Sequence, residues 1–170
     1  HHENALMCLN GGKAVLVEEG TTNLVDLATW NPVHDDAYET VTKTSDTLYG
    51  QPIYKGVKKL AGTPPIELKT IDIPAGASYT ATIWSRVDSA PAGSPPGLLF
   101  YRGSFLANAT SAVVGRWERL TATYTNNTGS ALTGVAVFFY LAQDAGEVTY
   151  FACPQLEAKP FATSFVAGTR

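Results

Sequence analysis

The stretch SYTATIWSRVD, Ser78–Asp88, decides the fold because its apolar and polar side chains alternate along the whole segment. Successive side chains of a β-strand point to opposite faces of the sheet, so this period of two predicts one buried face and one outer face. The expected buried set is Tyr79, Ala81, Ile83, Ser85 and Val87, and the expected outer set is Thr80, Thr82, Trp84 and Arg86. The segment therefore predicts a strand that covers a hydrophobic core.

Further strand patterns lie on both sides of this segment. They fall at residues 13–19, 51–60, 66–73, 98–103, 116–126, 132–143 and 147–157. Residues 21–30 fit either an extended or a helical period. The polar segment 31–50 is rich in turn residues and is expected to pair loosely at a sheet edge, and the polar segment 104–115 is expected to meander. Lys55, Lys58 and Lys59 are the charges that protect an exposed sheet edge, so they predict that 51–60 is an edge strand. Many short strands with little helix predict an all-β fold, a two-sheet antiparallel β-sandwich of the jelly-roll type.

The length of 170 residues predicts one domain with a sizeable core. Residues 1–12, which begin with a histidine pair, are expected to be a tag remnant or linker. Residues 13–170 are then the jelly-roll domain, and residues 159–170 form its C-terminal tail. Because this tail carries Phe161, Phe165 and Val166, we expect it to pack on the domain or on a neighbouring subunit.

Charge and cysteine content exclude several functions. The net charge of −3 disfavours nucleic acid and anionic membrane surfaces as partners, since both select for basic patches. No apolar run reaches the roughly 18 residues of a membrane span. Cys8 and Cys153 would pair if the first and last strands are neighbours, but two free, buried thiols are the preferred prediction.

Catalytic motifs are sparse. His34 is the one histidine outside the N-terminal pair, and the chain has neither a Gly-x-Ser-x-Gly elbow nor a Cys-x-x-Cys pair, so nucleophilic and zinc chemistry lack their usual residues. A glycosidase needs two carboxyl groups across a cleft, for which Glu118 and Glu147 are the candidates. Ordinary surface acids are the preferred interpretation of both.

Four segments of the chain follow one order that resembles a known family. They are KAVLVEEGTTNLV at 13–25, PAGASYTATIWSRVD at 74–88, GRWERLTATYTN at 115–126 and YFACPQLEAKPFATSFV at 150–166. Together they resemble the carbohydrate-binding-module-like jelly rolls, of the CBM4/9 type, found in bacteriophage tail and other virion proteins. The phrase Gln155-Leu156-Glu157, followed by Ala162-Thr163-Ser164, is the most specific part of the resemblance.

The resemblance implies a non-catalytic domain on the surface of a phage particle, outside the cell, that binds a glycan of the host envelope. It also implies contacts with other virion subunits, including assembly as a homotrimer. A spacer, trimerisation or decoration module without a ligand is the alternative. Modules of this type can hold a structural calcium ion, for which Glu18, Glu19 and Glu157 are the candidate ligands; no other cofactor is expected. The closing strand departs from the pattern, because Phe151-Ala152-Cys153-Pro154 stands where an Asp is expected.

Sugar recognition needs flat aromatic rings for stacking and nearby polar groups for the hydroxyls. Aromatic residues and their neighbouring arginines provide such pairs on several predicted strands. The candidate ligand-binding residues are Trp84, Arg86, Tyr101, Arg102, Trp117, Arg119 and Tyr140. For each of them, packing in the core or at a subunit interface is the competing interpretation.

Overall fold

Two antiparallel sheets, stacked face to face, contain most of the strands of the protein. The computed structural model describes residues 6–10, 13–17, 22–62, 64–111 and 113–165, and for the first two stretches it describes the backbone alone. The strands are β1 Leu6–Asn10, β2 Lys13–Val17, β3 His34–Asp35, β4 Glu39–Leu48, β5 Gln51–Lys58, β6 Ile66–Ile73, β7 Ser78–Val87, β8 Gly97–Tyr101, β9 Phe105–Thr110, β10 Glu118–Thr125, β11 Leu132–Tyr140 and β12 Val148–Glu157. Among these described residues, no helix is long and apolar enough to cross a membrane.

The sheet topology confirms the predicted fold class. One sheet has six strands in the order β10-β7-β12-β5-β4-β3, and the other has four in the order β6-β11-β8-β9. The protein is thus an all-β sandwich of the jelly-roll type. Strands β1 and β2 pair only with each other, with Leu6 opposite Val17. Strand β1 lies within residues 1–12, and the assignment of these residues as a tag remnant or linker stays a prediction.

The core lies between the two sheets and follows the alternation seen in the sequence. Ala81 and Ile83 of β7 are fully buried against the four-stranded sheet, which contributes Val137 and Phe139. The ring of Phe139 lies 5.1 Å from that of Phe151 in β12. Each of the larger apolar side chains contributes about 1.5–3 kcal/mol through burial, so the period-two pattern of β7 and β11 specifies how the sheets face each other.

The closing strand, β12, lies in the middle of the six-stranded sheet, between β7 and β5. Its register with β7 shifts between Ala152 and Gln155, and Cys153 has a left-handed backbone with φ of 55°. This bulge accommodates Pro154, which has no N–H to donate to a neighbouring strand. The bulge also changes which side chains face inward, so that Phe151 and Leu156 both lie in the core.

The predicted edge strand is wrong, because β5 lies between β12 and β4. Lys58 is not a solvated edge charge: it is 3% exposed, and its Nζ lies 2.8 Å from Oε2 of the buried Glu39. The pairing offsets part of the cost of burying either charge. The edge of the sheet is built from the polar segment 31–50, as expected for that segment, and it forms β3 and the ten-residue β4.

Candidate functional site

The structure divides the predicted ligand-binding residues between the two outer faces of the sandwich. The four-stranded sheet and its β8–β9 turn carry Tyr101, Arg102 and Tyr140, and the six-stranded side carries Trp84, Arg86, Trp117 and Arg119. Tyr101 and Tyr140 face outward because they alternate with the buried Phe100 and Phe139. The hydrophobic core separates the two groups, so they belong to two different surfaces.

The outer face of the four-stranded sheet carries a row of aromatic rings, here called the aromatic face and formed by Tyr101, Phe105, Phe138 and Tyr140. The ring of Phe138 lies 6.2 Å from Tyr101 and 6.3 Å from Tyr140, and Tyr101 lies 6.0 Å from Phe105. Phe105 is 70% exposed, and the other three rings are partly exposed. The row follows β11 and β8 because alternate residues of these paired strands share a face.

A pocket of about 260 Å³ lies beside the aromatic face and is lined by Phe105 and Tyr140, the rings at the two ends of the row. Its lining includes Ser94, Phe105, Asn108, Thr110, Tyr140 and Gln143. None of the described residues that line it carries a charge, while the two amides and two aliphatic hydroxyls can donate and accept hydrogen bonds. Burial, and to a lesser extent the neighbouring Tyr101, raises the pKa of Tyr140, so its hydroxyl stays protonated.

The β8–β9 hairpin brings Phe105 and Asn108 to this surface, and the sequence prediction missed both because it treated 104–115 as a meander. The turn contains Gly103 with φ of 72°, and Arg102 donates from Nε to the carbonyl of Thr133 at 2.8 Å. A glycine turn directly after an apolar strand indicates a hairpin, and this signal was present in the sequence. Arg102 itself fastens the turn to β11, which favours the packing interpretation for this residue.

On the opposite face, Arg86 packs on the rings of Tyr150 and Trp117 and pairs with Asp88. The guanidinium of Arg86 lies 4.5 Å from the ring of Tyr150 and 5.5 Å from that of Trp117, and its Nε lies 2.9 Å from Oδ1 of Asp88. A guanidinium that is paired with a carboxylate and packed on two rings has little capacity left for a ligand. The structure therefore favours packing over sugar binding for Arg86 and Trp117.

Trp84 and Arg119 line a separate open cleft, here called the Tyr49 cleft and formed by Tyr49, Trp84, Arg119, Ser164 and Phe165, with a volume of about 630 Å³. The ring of Tyr49 lies 5.5 Å from Trp84 and 6.2 Å from Phe165. Tyr49 forms the two-residue β4–β5 turn with Gly50, and its φ is 49°. A tyrosine in this left-handed conformation costs on the order of 1–3 kcal/mol, so the contacts of its ring must hold it there.

The C-terminal tail is packed on the six-stranded sheet by polar contacts. The N–H of Thr163 donates to Glu157 Oε2 at 3.1 Å, its hydroxyl donates to Glu157 Oε1 at 2.5 Å, and Gln155 donates to that hydroxyl at 3.2 Å. Phe165 then lines the Tyr49 cleft, as expected of a docked tail. Phe161, in contrast, is 51% exposed, and Val166 lies outside the described residues.

The calcium prediction remains a prediction, because Glu18 and Glu19 lie outside the described residues. The carboxylate of Glu157 is occupied by Thr163. Within the described part of the chain, no group of three or more His, Cys, Asp or Glu residues could hold a metal ion. Cys153 is a free, buried thiol whose Sγ donates to the carbonyl of Leu48 at 3.1 Å, and burial raises its pKa to about 12. The side chain of Cys8 is not among those described.

The two acids considered for catalysis both form hydrogen bonds within the fold. Glu118 accepts from the hydroxyl of Ser111, and Glu147 accepts from the backbone N–H of Ala92 at 2.7 Å and of Asp144 at 3.2 Å. Glu147 thereby joins the proline loop to the β11–β12 turn. These contacts favour the interpretation of both acids as structural surface residues.

Comparison with known proteins gives likeness of fold. No family model matches the chain, and no curated protein does. The chain is similar to a CBM4 structure at 15% identity and a TM-score of 0.53, over 79% of this chain and 99% of that one. It is similar to an arabinose-bound MgGH51 α-L-arabinofuranosidase at 15% identity and 0.50, over 81% of this chain. It is also similar to the CBM22-1–GH10 modules of Clostridium thermocellum xylanase 10B complexed with xylohexaose at 11% identity and 0.51, over 87% of this chain.

The extent of these matches limits them to architecture. The chain spans 24% of the arabinofuranosidase and 30% of the xylanase chain, but nearly the whole of the CBM4 structure. At such low identity the likeness concerns the fold alone. The chain therefore has the jelly-roll fold that carbohydrate-binding modules share.

Proposed function

We propose that this domain binds a neutral saccharide on its aromatic face without cleaving it. The observation that carries the proposal is the row of exposed and partly exposed rings beside an uncharged pocket with two amides. Aromatic rings bury the apolar faces of sugar rings, and amide and hydroxyl groups satisfy the sugar hydroxyls. The pocket of about 260 Å³ is slightly smaller than ordinary small-ligand sites, so it suits one sugar ring while Phe138 and Tyr101 contact the next ones.

Two further observations support the aromatic face over the opposite surface. The C-terminal tail covers Gln155 and Glu157 on the six-stranded sheet, which leaves both below 2% exposure. Arg86 and Trp117 on that side are occupied by each other. The aromatic face, by contrast, has no tail packed on it within the described residues, and Phe105 remains 70% exposed.

The fold supports the proposed class of ligand. The CBM4 structure has the same fold over nearly its whole length, and the CBM22-1–GH10 modules are complexed with xylohexaose. A non-catalytic role agrees with Glu118 and Glu147, whose carboxylates bond to other parts of the fold. Incubation of the domain with a bound polysaccharide should leave the viscosity of the polymer unchanged, and any loss of viscosity that Glu118→Gln abolishes would contradict this part of the proposal.

The proposal extends to the biological setting. The resemblance of four sequence segments to phage virion domains supports a place on the surface of a virion, where the domain binds a host-envelope glycan beside other subunits. The alternative, a spacer or trimerisation module, draws support from Phe105, since an exposed large apolar side chain often marks a contact between chains. Light scattering distinguishes the glycan-binding domain from the spacer or trimerisation module. A ligand-free trimer that buries Phe105 would favour the trimerisation module, and a monomer would count against that module.

A glycan array tests the central proposal. The wild-type domain is applied to neutral plant, bacterial and fungal polysaccharides, and positive ligands are measured by calorimetry. Tyr140→Ala should weaken binding about fivefold, since one stacking ring contributes roughly 1 kcal/mol. Tyr38→Ala is the matched control, because Tyr38 is 47% exposed at a distant position. Absence of binding to any saccharide, or equal effects of the two variants, would contradict the proposal.

A further inference from the structure

The guanidinium of Arg119 in the Tyr49 cleft has no counter-charge in contact with it among the described residues. Its Nη2 donates to the neutral hydroxyl of Thr82 at 3.1 Å, and its Nε is buried without a hydrogen-bond partner. Burial lowers the pKa of Arg119, and the more distant Glu157 opposes this effect. A partly buried cation without a paired anion is unfavourable, so this arrangement is suited to receive an anionic group.

Aromatic rings surround this cation. Tyr49, Trp84 and Phe165 line the same cleft, and Nε1 of Trp84 is a second buried donor for which the described residues offer no acceptor. Tyr49 is 61% exposed although its backbone adopts a conformation that favours Asn or Gly. The cleft thus combines exposed ring faces with unpaired donors and no acidic side chain among its described lining residues.

We propose that the Tyr49 cleft is a second binding site, selective for an acidic sugar. The carboxylate of a uronic acid residue would pair with Arg119, and the apolar face of its ring would lie against Tyr49 or Trp84. Trp84 and Arg119 lie opposite each other on the paired strands β7 and β10, so the cleft opens on the face of the sheet, whereas an extended peptide adds to a sheet edge. This site is separate from the aromatic face in position and in the charge of its ligand.

Calorimetry with trigalacturonic acid and trimannuronic acid tests the site, and the carboxyl-reduced trisaccharides serve as neutral controls. The wild-type domain should bind at least one acidic trisaccharide and lose at least about tenfold in affinity for its reduced form, since a charge-assisted pair is worth roughly 1.5–3 kcal/mol. Binding should weaken as salt rises. Tyr140→Ala should leave it unchanged, which separates this inference from the function proposed for the aromatic face.

Two substitutions locate the binding. Arg119→Gln keeps a donor for Thr82 but removes the charge, so it should lower the affinity at least tenfold, while Arg119→Lys should retain part of it. Arg116→Gln makes the same change at an exposed position outside the cleft lining and should have no effect.

Tyr49→Asn keeps the variant folded while it removes the ring. An Asn-Gly pair is a preferred two-residue hairpin turn, so the variant should be at least as stable as the wild type in urea and should still lose severalfold in affinity. The proposal would be overturned if neither acidic trisaccharide binds, if reduced and acidic forms bind equally, or if Arg119→Gln binds like Arg116→Gln.

Discussion

The buried ion pair between Lys58 and Glu39 gives a sharp test of how the six-stranded sheet is held together. The side chains are 1% and 0% exposed, and Nζ lies 2.8 Å from Oε2. The second oxygen of Glu39 lies 3.2 Å from Nε2 of His34. Substitution of Lys58 by Met keeps most of the apolar stem but leaves the carboxylate of Glu39 buried without its ammonium partner.

The expected loss of stability follows from leaving the buried carboxylate of Glu39 without its ammonium partner. Removal of one partner from a buried pair destabilises proteins by about 3–5 kcal/mol. A domain of this size has about 5–15 kcal/mol of total stability, so Lys58→Met should remove about a fifth or more of it and lower the Tm by roughly 6–20 °C. The double variant Glu39→Leu/Lys58→Met leaves no buried charge in the pair and should recover most of the loss.

Urea denaturation followed by tryptophan fluorescence measures these differences. The control is Lys55→Met on the same strand, where the lysine forms no ion pair with a described residue, and it should change the free energy of unfolding by less than about 0.5 kcal/mol. If Lys58→Met costs less than about 1 kcal/mol, or if the double variant is as unstable as the single one, the interpretation of a tightly coupled buried pair is wrong.

Three other perturbations probe the core, a turn and the buried thiol. Gly56→Ala should destabilise the domain by about 1–3 kcal/mol, because its Cβ would lie 2.4 Å from Cδ1 of Leu141; thermal melting measures this, and an unchanged Tm would contradict the close contact. Asn126→Ala should cost about 3 kcal/mol, since the buried amide donates to the carbonyls of Ile73 and Ser130, both at 2.8 Å; urea titration checks it, and a loss below 1 kcal/mol would refute the role. Burial raises the pKa of Cys153 from 9.0 to about 12. As the pH rises, the thiol therefore loses its proton in the unfolded chain before it does so in the folded domain. The free energy of unfolding should then fall by about 1.4 kcal/mol per pH unit between about pH 9 and pH 12. Subtraction of the pH profile of Cys153→Ala isolates this slope, and parallel profiles would count against it.

The sequence predicted the parts of the fold that depend on local alternation. The inward set of β7 packs on the core as predicted, and a one-residue shift would have placed Ile83 in water and Trp84 in the core. Thr80 and Thr82 of the predicted outer set are also buried, because the tail at Lys159 and the side chain of Arg119 contact them. The position of β5 could not be predicted this way: whether Lys58 lies at an edge depends on Glu39, which belongs to a segment that looks like a polar loop. Strand order is set by such long-range pairs, and a single local pattern does not contain them.

The candidate sites were likewise predictable where local strand position decides them, and not where long-range contacts do. Outward-facing aromatics such as Trp84 and Tyr140 were found from their strand positions, but the sequence did not show that they lie on opposite surfaces. Arg86 looked free to bind a ligand until its contacts with Tyr150 and Asp88 were known. Phe165 enters the Tyr49 cleft only because the tail folds back on β12, which depends on contacts between Thr163 and the strand.

The central claim, that the aromatic face binds a saccharide, is tested most directly by NMR. The isotope-labelled domain is titrated with the best neutral oligosaccharide from the glycan array, and amide shifts are mapped on the two sheets. The account predicts shifts concentrated at Tyr101, Asn108, Phe138 and Tyr140, with little change at Trp84. Shifts that centre on Trp84 and Tyr49, with none on β8, β9 or β11, would contradict it.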